Sequence, residues 1–235
     1  MNLEKQKICN NYIKHLFNII NMQDNSELNM QENSELNECF FYKTRKLLKQ
    51  NYTKIPSVLH NFVSYNNVFT KEECNEIINY SNNYIENHTS DIEINMKMCY
   101  LLPDKKNNFI YDRIRKLVIE TNMNIWNYNL YDFGEPIKFL EYNEKYNSQL
   151  KVHNDIGNVR GWESFRKLTI ILQLTDENTY EDCNLMIQNG DKLVSTNKNQ
   201  GSIIIFPSFM MHQVTPITKG IRNSLVLWAY GPPFC

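Results

Sequence analysis

From about Ile137 onward, apolar and polar positions alternate with a period of two. In Lys167–Thr175, Leu168, Ile170, Leu172 and Leu174 fall on one face and Thr169, Ile171, Gln173 and Thr175 on the other, as on a β-strand. Gly201–Phe206 and Ser224–Tyr230 read as two further strands. Several short strands separated by turns predict a sandwich or a barrel. Upstream the period is helical. Thr70–Glu73 forms a capping box with Phe69 placed as a staple, and Cys74, Ile77, Ile78, Tyr84 and Ile85 give the following helix a buried face. Residues 90–102 read as strand and loop, and a second helix carries Ile110, Ile114, Leu117 and Val118 on one side. Such helices cover one face of a sheet.

The first 54 residues differ. A helical stripe (Cys9, Ile13, Leu16, Phe17, Ile20) precedes a tandem repeat over residues 22–37, in which Met-Gln-Asp-Asn-Ser-Glu-Leu-Asn is followed by Met-Gln-Glu-Asn-Ser-Glu-Leu-Asn. Two polar copies are too few for a solenoid and read as a linker. Residues 40–54 are basic and aromatic, read as a solvated amphipathic helix, with a partner-binding or nucleic-acid patch as the alternative. The expected organisation is an N-terminal extension over 1–54 and one domain over 55–235.

A formal net charge of -1 gives no general attraction to nucleic acid or to an anionic membrane. The six cysteines (Cys9, Cys39, Cys74, Cys99, Cys183, Cys235) include no C-x-x-C pair, which argues against a zinc knuckle and for a reducing compartment. No apolar run is long enough to span a membrane, and no signal-peptide core is evident. The expectation is a soluble, intracellular protein.

Candidate chemistry gathers in the last third. His153-Asn154-Asp155 places an imidazole and a carboxylate two positions apart, so on a strand both reach one face while Asn154 turns away. His212 lies 59 residues further on and must arrive from another strand. Two histidines and one carboxylate can form the facial triad that suits Fe(II), because it leaves open coordination positions; the spacing alone also admits zinc. His15, His60 and His88 stand in no comparable context.

The segment from Gly201 through Phe206-Pro-Ser-Phe-Met-Met-His212-Gln-Val-Thr-Pro to Arg222-Asn-Ser-Leu-Val-Leu-Trp228, followed by Gly231-Pro232, resembles the C-terminal half of Fe(II)/2-oxoglutarate-dependent dioxygenases. The likeness is greatest to the prolyl 4-hydroxylase-like group, including its compact phage and viral forms, and spans about residues 62–235. It implies a mainly β fold with flanking helices, built on a double-stranded β-helix (jelly-roll) core. It implies Fe(II) held by His153, Asp155 and His212, with 2-oxoglutarate and O2 as cosubstrates and ascorbate as a candidate reductant. Arg222 becomes the candidate partner of the distal 2-oxoglutarate carboxylate, since a guanidinium offers a planar fork matched to it. Ser224 and Tyr142 are candidate additional donors, and Tyr146 is the alternative register for the latter. Lys219 is a weaker rival to Arg222. Arg160, Trp162, Phe165 and Arg166 could contact substrate or belong to an ordinary surface loop.

The implied reaction is hydroxylation of an unactivated C–H bond of a protein or peptide residue such as proline. The alternatives are a small molecule or free amino acid as substrate, and a non-catalytic jelly-roll binding module. Nucleic-acid demethylation agrees less well with the Arg222 spacing. The sequence departs from the family where a Tyr-Glu-Gly-Gly turn reads Tyr180-Glu-Asp-Cys-Asn-Leu185, and where a glycine after Tyr142 is replaced within Asn143–Lys145. Loss of glycine limits access to positive φ, so these loops are expected to deviate.

Overall fold

The computed structural model describes residues 61–85, 95–156 and 165–234. The readings of residues 1–54, of the Ile55 boundary, of the three remote histidines, and of Arg160 and Trp162 lie outside the described residues.

The elements run β1 (Val63–Tyr65), α1 (Lys71–Asn82), β2 (Lys97–Leu101), α2 (Asn108–Asn124) and β3 (Ile137–Asn143). After a 3-10 turn (Glu144–Tyr146) come β4 (Leu150–His153), β5 (Phe165–Gln173), β6 (Glu181–Asp182), β7 (Leu185–Asn189) and β8 (Lys192–Ser195). The chain closes with β9 (Ile203–Pro207), β10 (His212–Val214), β11 (Ile217–Lys219) and β12 (Ile221–Gly231). A six-stranded sheet has the order β1-β9-β5-β12-β3-β2, a four-stranded sheet the order β4-β10-β7-β8, and β11 pairs with β6. Every one of these pairings is antiparallel. This is the jelly-roll architecture that the strand pattern and the resemblance predict.

The period-two pattern of β5 divides two cores. Leu168, Ile170, Leu172 and Leu174 join Ile203, Ile205, Leu225, Leu227 and the helical Cys74, Ile77, Ile110, Ile114 and Val118 in one cluster. That cluster seals the helices onto the outer face of the large sheet. Ile171 faces the other way, into a cluster with Tyr142, Leu185, Ile187, Phe206, Val214 and Val226 that fills the space between the sheets.

The helix α1 starts as its sequence dictates. The Thr70 side chain accepts from the Glu73 amide, while Glu73 Oε2 accepts from the Thr70 amide at 2.9 Å. Arg113 of α2 donates to both Glu73 oxygens, at 2.7 and 2.8 Å, tying the two helices at their ends. The Gly201 carbonyl receives the Val68 and Phe69 amides at 3.0 and 3.1 Å. Gly201 itself has φ +77°, and a Cβ there would stand 2.0 Å from the Phe69 carbonyl oxygen. Only glycine allows that approach of β9 to the start of α1.

Some boundaries differ from expectation. α1 ends at Asn82, so Tyr84 lies past it, is exposed and packs at a tilt against the Tyr80 ring rather than joining the buried face. β9 runs on to Pro207 and β12 begins at Ile221, because pairing with β5 and β3 extends the ladders past the apolar cores. No helix among the described residues is long and apolar enough to cross a membrane.

Candidate metal centre

His153 ends β4, Asp155 follows two residues later, and His212 opens β10. β4 and β10 are paired antiparallel with His153 and His212 directly opposite each other, so their rings lie side by side with centroids 4.2 Å apart. His153 Nε2 stands 3.5 Å from Asp155 Oδ1, and His212 Nε2 stands 3.4 Å from Asp155 Oδ2. The three ligand atoms lie within 4.8 Å of one another. Asn154 turns away to the surface, as predicted.

Both imidazoles are held in the tautomer that a metal requires. A backbone carbonyl can only accept, so the contacts from His153 Nδ1 to Lys151 O (2.7 Å) and from His212 Nδ1 to Met210 O (3.0 Å) place the ring proton on Nδ1. In the neutral rings each Nε2 then carries the lone pair a metal would take, and only the protonated ring can donate from Nε2 to Asp155. Burial works to raise the Asp155 pKa, but the His153 hydrogen bond and the nearby His212 hold it well below the ordinary carboxylate range. Burial lowers the His212 pKa, which favours its neutral form. At His153 burial also lowers the pKa, but the hydrogen bonds to Asp155 and to the Lys151 carbonyl outweigh it and raise the pKa overall. The side chain of His153 is 31% exposed and that of His212 only 3%, so the site opens on the β4 side.

The carboxylate has a fixed support. Thr169 Oγ1 donates to Asp155 Oδ2 at 2.9 Å and lies 3.0 Å from Ser208 Oγ. The Asp155 amide donates to the Ser208 carbonyl at 2.8 Å. Thr169 sits on the inward face of β5, opposite Trp228 on β12. Trp228 lies beside Asp155, and the Arg166 guanidinium stacks over its indole at 3.8 Å. Arg166, expected as a candidate substrate contact, is engaged by Glu135 and by Tyr230.

Arg222 lies deeper between the sheets and is 1% exposed. Its Nε and Nη2 donate to Gln173 Oε1 at 3.1 and 2.7 Å. Tyr142 is its register partner on β3, with the guanidinium carbon 5.1 Å from the ring centroid. Burial pushes the Tyr142 phenol upward, so it stays protonated beside the cation. Ser224, two residues along β12 and equally buried, faces the same side as Arg222. Tyr146 falls in the 3-10 turn, so Tyr142 is the tyrosine that meets Arg222. Lys219 is at the surface, bonded to Glu181.

Among the described residues, Arg222 Nη1, Tyr180 OH and Trp228 Nε1 are buried without a well-formed hydrogen bond, although Trp228 faces Asp155 and Arg222 faces Tyr180 and Cys183. Unpaired buried donors are costly, and their presence near two imidazoles and a carboxylate fits a site built for an anionic ligand beside a metal ion. Thr169, Gln173, Ser208, Trp228 and Tyr180 were missed as functional candidates from sequence. The inward parity of Thr169 and Gln173 on β5 was the available signal.

Residues 137–230 match the 2OG-Fe(II) oxygenase superfamily. The described residues resemble in fold a prolyl-4-hydroxylase from Pseudomonas putida, with a TM-score of 0.61 at 15% identity, covering 74% of this chain and 94% of that one. A prolyl hydroxylase from Trichoplax adhaerens, solved with a hypoxia inducible factor oxygen degradation domain peptide fragment, gives a TM-score of 0.60 at 17% identity over 73% of this chain and 84% of that one. In sequence, a PKHD-type hydroxylase of Shewanella oneidensis is 39% identical over 61 residues, which is 26% of this chain and 27% of that protein. The matched part thus spans about a quarter of the curated relatives' length. The turn after Tyr180 keeps left-handed backbone at the two positions where glycines were expected: Asp182 and Cys183 have φ of 58° and 50°.

Proposed function

We propose that the chain is an Fe(II)- and 2-oxoglutarate-dependent dioxygenase that hydroxylates an unactivated C–H bond of a protein or peptide residue, with proline the first candidate. The observation that carries the reading is the pairing of His153 and His212 across β4 and β10 around Asp155, with both Nδ1 atoms tied to carbonyls. His153, Asp155 and His212 would hold the iron, and Arg222 would take the distal carboxylate of 2-oxoglutarate. When bound, iron with 2-oxoglutarate and O2 supplies oxidative decarboxylation to succinate and CO2 coupled to insertion of oxygen into a C–H bond.

The protein's own part is positional. Thr169, backed by Ser208, holds the Asp155 carboxylate, Gln173 holds the Arg222 guanidinium, and the apolar cluster around Ile187, Phe206 and Val226 excludes water from the inner side of the site. The choice of a peptide substrate is supported by the likeness to the Trichoplax prolyl hydroxylase, which was solved with a peptide. The reading is tested by anaerobic titration of the purified protein with Fe(II) and then 2-oxoglutarate, following the charge-transfer absorption of the chelate, with Asp155→Ala beside it. The expected result is a band in the wild type and none in the variant. Iron-loaded wild type without a band would sink the dioxygenase reading. Uncoupled succinate release that rises with proline-containing peptides, and not with free amino acids, would separate a peptide substrate from a small molecule.

A further inference from the structure

Arg222 is expected to bind the distal carboxylate, yet the Nε–Nη2 edge of its guanidinium is occupied. Both of those donors converge on Gln173 Oε1. Gln173 is oriented for this by its own amide, whose Nε2 donates to the Asn197 carbonyl at 3.4 Å. The Arg222 nitrogen without a partner is Nη1. The second N–H of Nη2 and both N–H groups of Nη1 form the other edge of the guanidinium, and a carboxylate held there keeps acceptor positions for a further donor.

The two side chains considered from sequence, Ser224 and Tyr142, are not the only hydroxyls in reach. Tyr180 reaches into the same inter-sheet cluster as Tyr142 and Val226, from the segment just before β6. It is 4% exposed, and its hydroxyl, like Arg222 Nη1, is buried without a well-formed hydrogen bond. Burial keeps its phenol protonated against the pull of Arg222, whose guanidinium lies within hydrogen-bonding reach of the phenol oxygen, so the hydroxyl proton is left for another acceptor. Its ring is fixed from the far side by Lys198, whose Nζ sits 4.4 Å from the ring centroid and donates to the Asp182 carbonyl at 2.8 Å. A guanidinium edge and a phenol proton side by side in one buried cluster describe half of a hydrogen-bonded site whose other half is an anion.

We propose that Tyr180 is a cosubstrate-binding residue: its hydroxyl and Arg222 Nη1 together grip the distal carboxylate of a five-carbon 2-oxo dicarboxylic acid, while Gln173 holds the guanidinium in place. This rests on the dioxygenase reading above. It makes the site selective for a dicarboxylic 2-oxo acid over its monocarboxylic counterpart, because only the former satisfies both donors.

The test is Tyr180→Phe, which keeps the ring and removes one oxygen. Affinity is read on the iron-loaded protein without O2, from the charge-transfer band, for 2-oxoglutarate and for 2-oxopentanoate, which lacks the distal carboxylate. Loss of a hydrogen bond to a charged group predicts roughly 10- to 150-fold weaker 2-oxoglutarate binding, with 2-oxopentanoate unaffected. Thermal unfolding of the ligand-free protein gives an independent readout. Removing an unpaired buried hydroxyl should leave the midpoint unchanged or raised, whereas a structural tyrosine would lower it. Unchanged 2-oxoglutarate affinity in the variant overturns the proposal and leaves the dioxygenase reading standing. Equal weakening of both ligands also overturns it, since that reports general packing. Wild type that binds iron but neither 2-oxo acid removes the dioxygenase reading and this proposal with it.

Discussion

Truncating Arg222 to alanine would leave Gln173 and Tyr142 facing an unfilled volume between the sheets, while the three metal ligands keep their strand anchors. We therefore expect Arg222→Ala to weaken 2-oxoglutarate binding roughly 10- to 150-fold with iron affinity retained, as measured by separate metal and cosubstrate titrations. Thr169 makes the complementary case. Its hydroxyl is the donor to Asp155 Oδ2, and loss of such an outer-shell partner commonly weakens metal binding roughly 10- to 100-fold. Thr169→Val should show that loss in a chelator competition, and Thr169→Ser should restore affinity. That His153, Asp155 and His212 would stand together was legible in the sequence, because imidazoles are few and their spacing is restrictive, and Arg222 was a candidate through the resemblance. Thr169, Gln173 and Ser208 were not, since hydroxyls and amides occur throughout the chain. Their roles arise only when β5 is set beside β9 and β12.

At the scale of elements, local signals were the most readable. The capping box at Thr70 and the inward and outward faces of β5 stand where the pattern placed them. What the local pattern could not show is that Glu73 also receives Arg113 from the second helix. The Arg113 hydrogen bonds hold the Glu73 carboxyl below its ordinary value, against its burial. A lowered folded-state pKa stabilises the fold above the unfolded value of about 4.3 and loses that contribution as pH falls through the folded value. Glu73→Gln should cost about 0.5–1 kcal/mol at pH 7, modest because the pair is partly solvated. The gap to wild type should close in denaturant titrations as pH is lowered below the unfolded pKa. Gly201→Ala should be the more damaging change. The left-handed backbone alone penalises a side chain by roughly 1–2 kcal/mol, and the new Cβ meets the Phe69 carbonyl, so the denaturation midpoint should fall. The turn from Tyr180 to Leu185 shows a limit of reading glycines. Asp182 and Cys183 hold positive φ without them, since Asp182 is fixed by Thr218 Oγ1 and the Cys183 amide by the Pro216 carbonyl.

For the molecule as a whole, the two-sheet arrangement followed from the period-two pattern and the resemblance. The strand order did not, because it depends on pairings such as β1 with β9 that join distant segments. The site links β4 to β10 and, through Thr169, the small sheet to the large one. A metal that binds only the folded state should therefore raise global stability, by about 2.7 kcal/mol at a free concentration one hundred times Kd. Thermal scans should show a rise with added Fe(II) under anaerobic conditions and no rise in Asp155→Ala. The direct opposition of His153 and His212 has one more consequence, which is a rule of parity. Adding a single residue to β4 or β10 would turn one imidazole to the opposite face, and adding two would restore the face but carry the ring roughly 7 Å along the strand. Neither change leaves a metal site, although either could leave a folded protein. The chain can grow instead at the β7–β8 hairpin tip, where Gly190 has open space around it, so insertions compatible with the chemistry belong there.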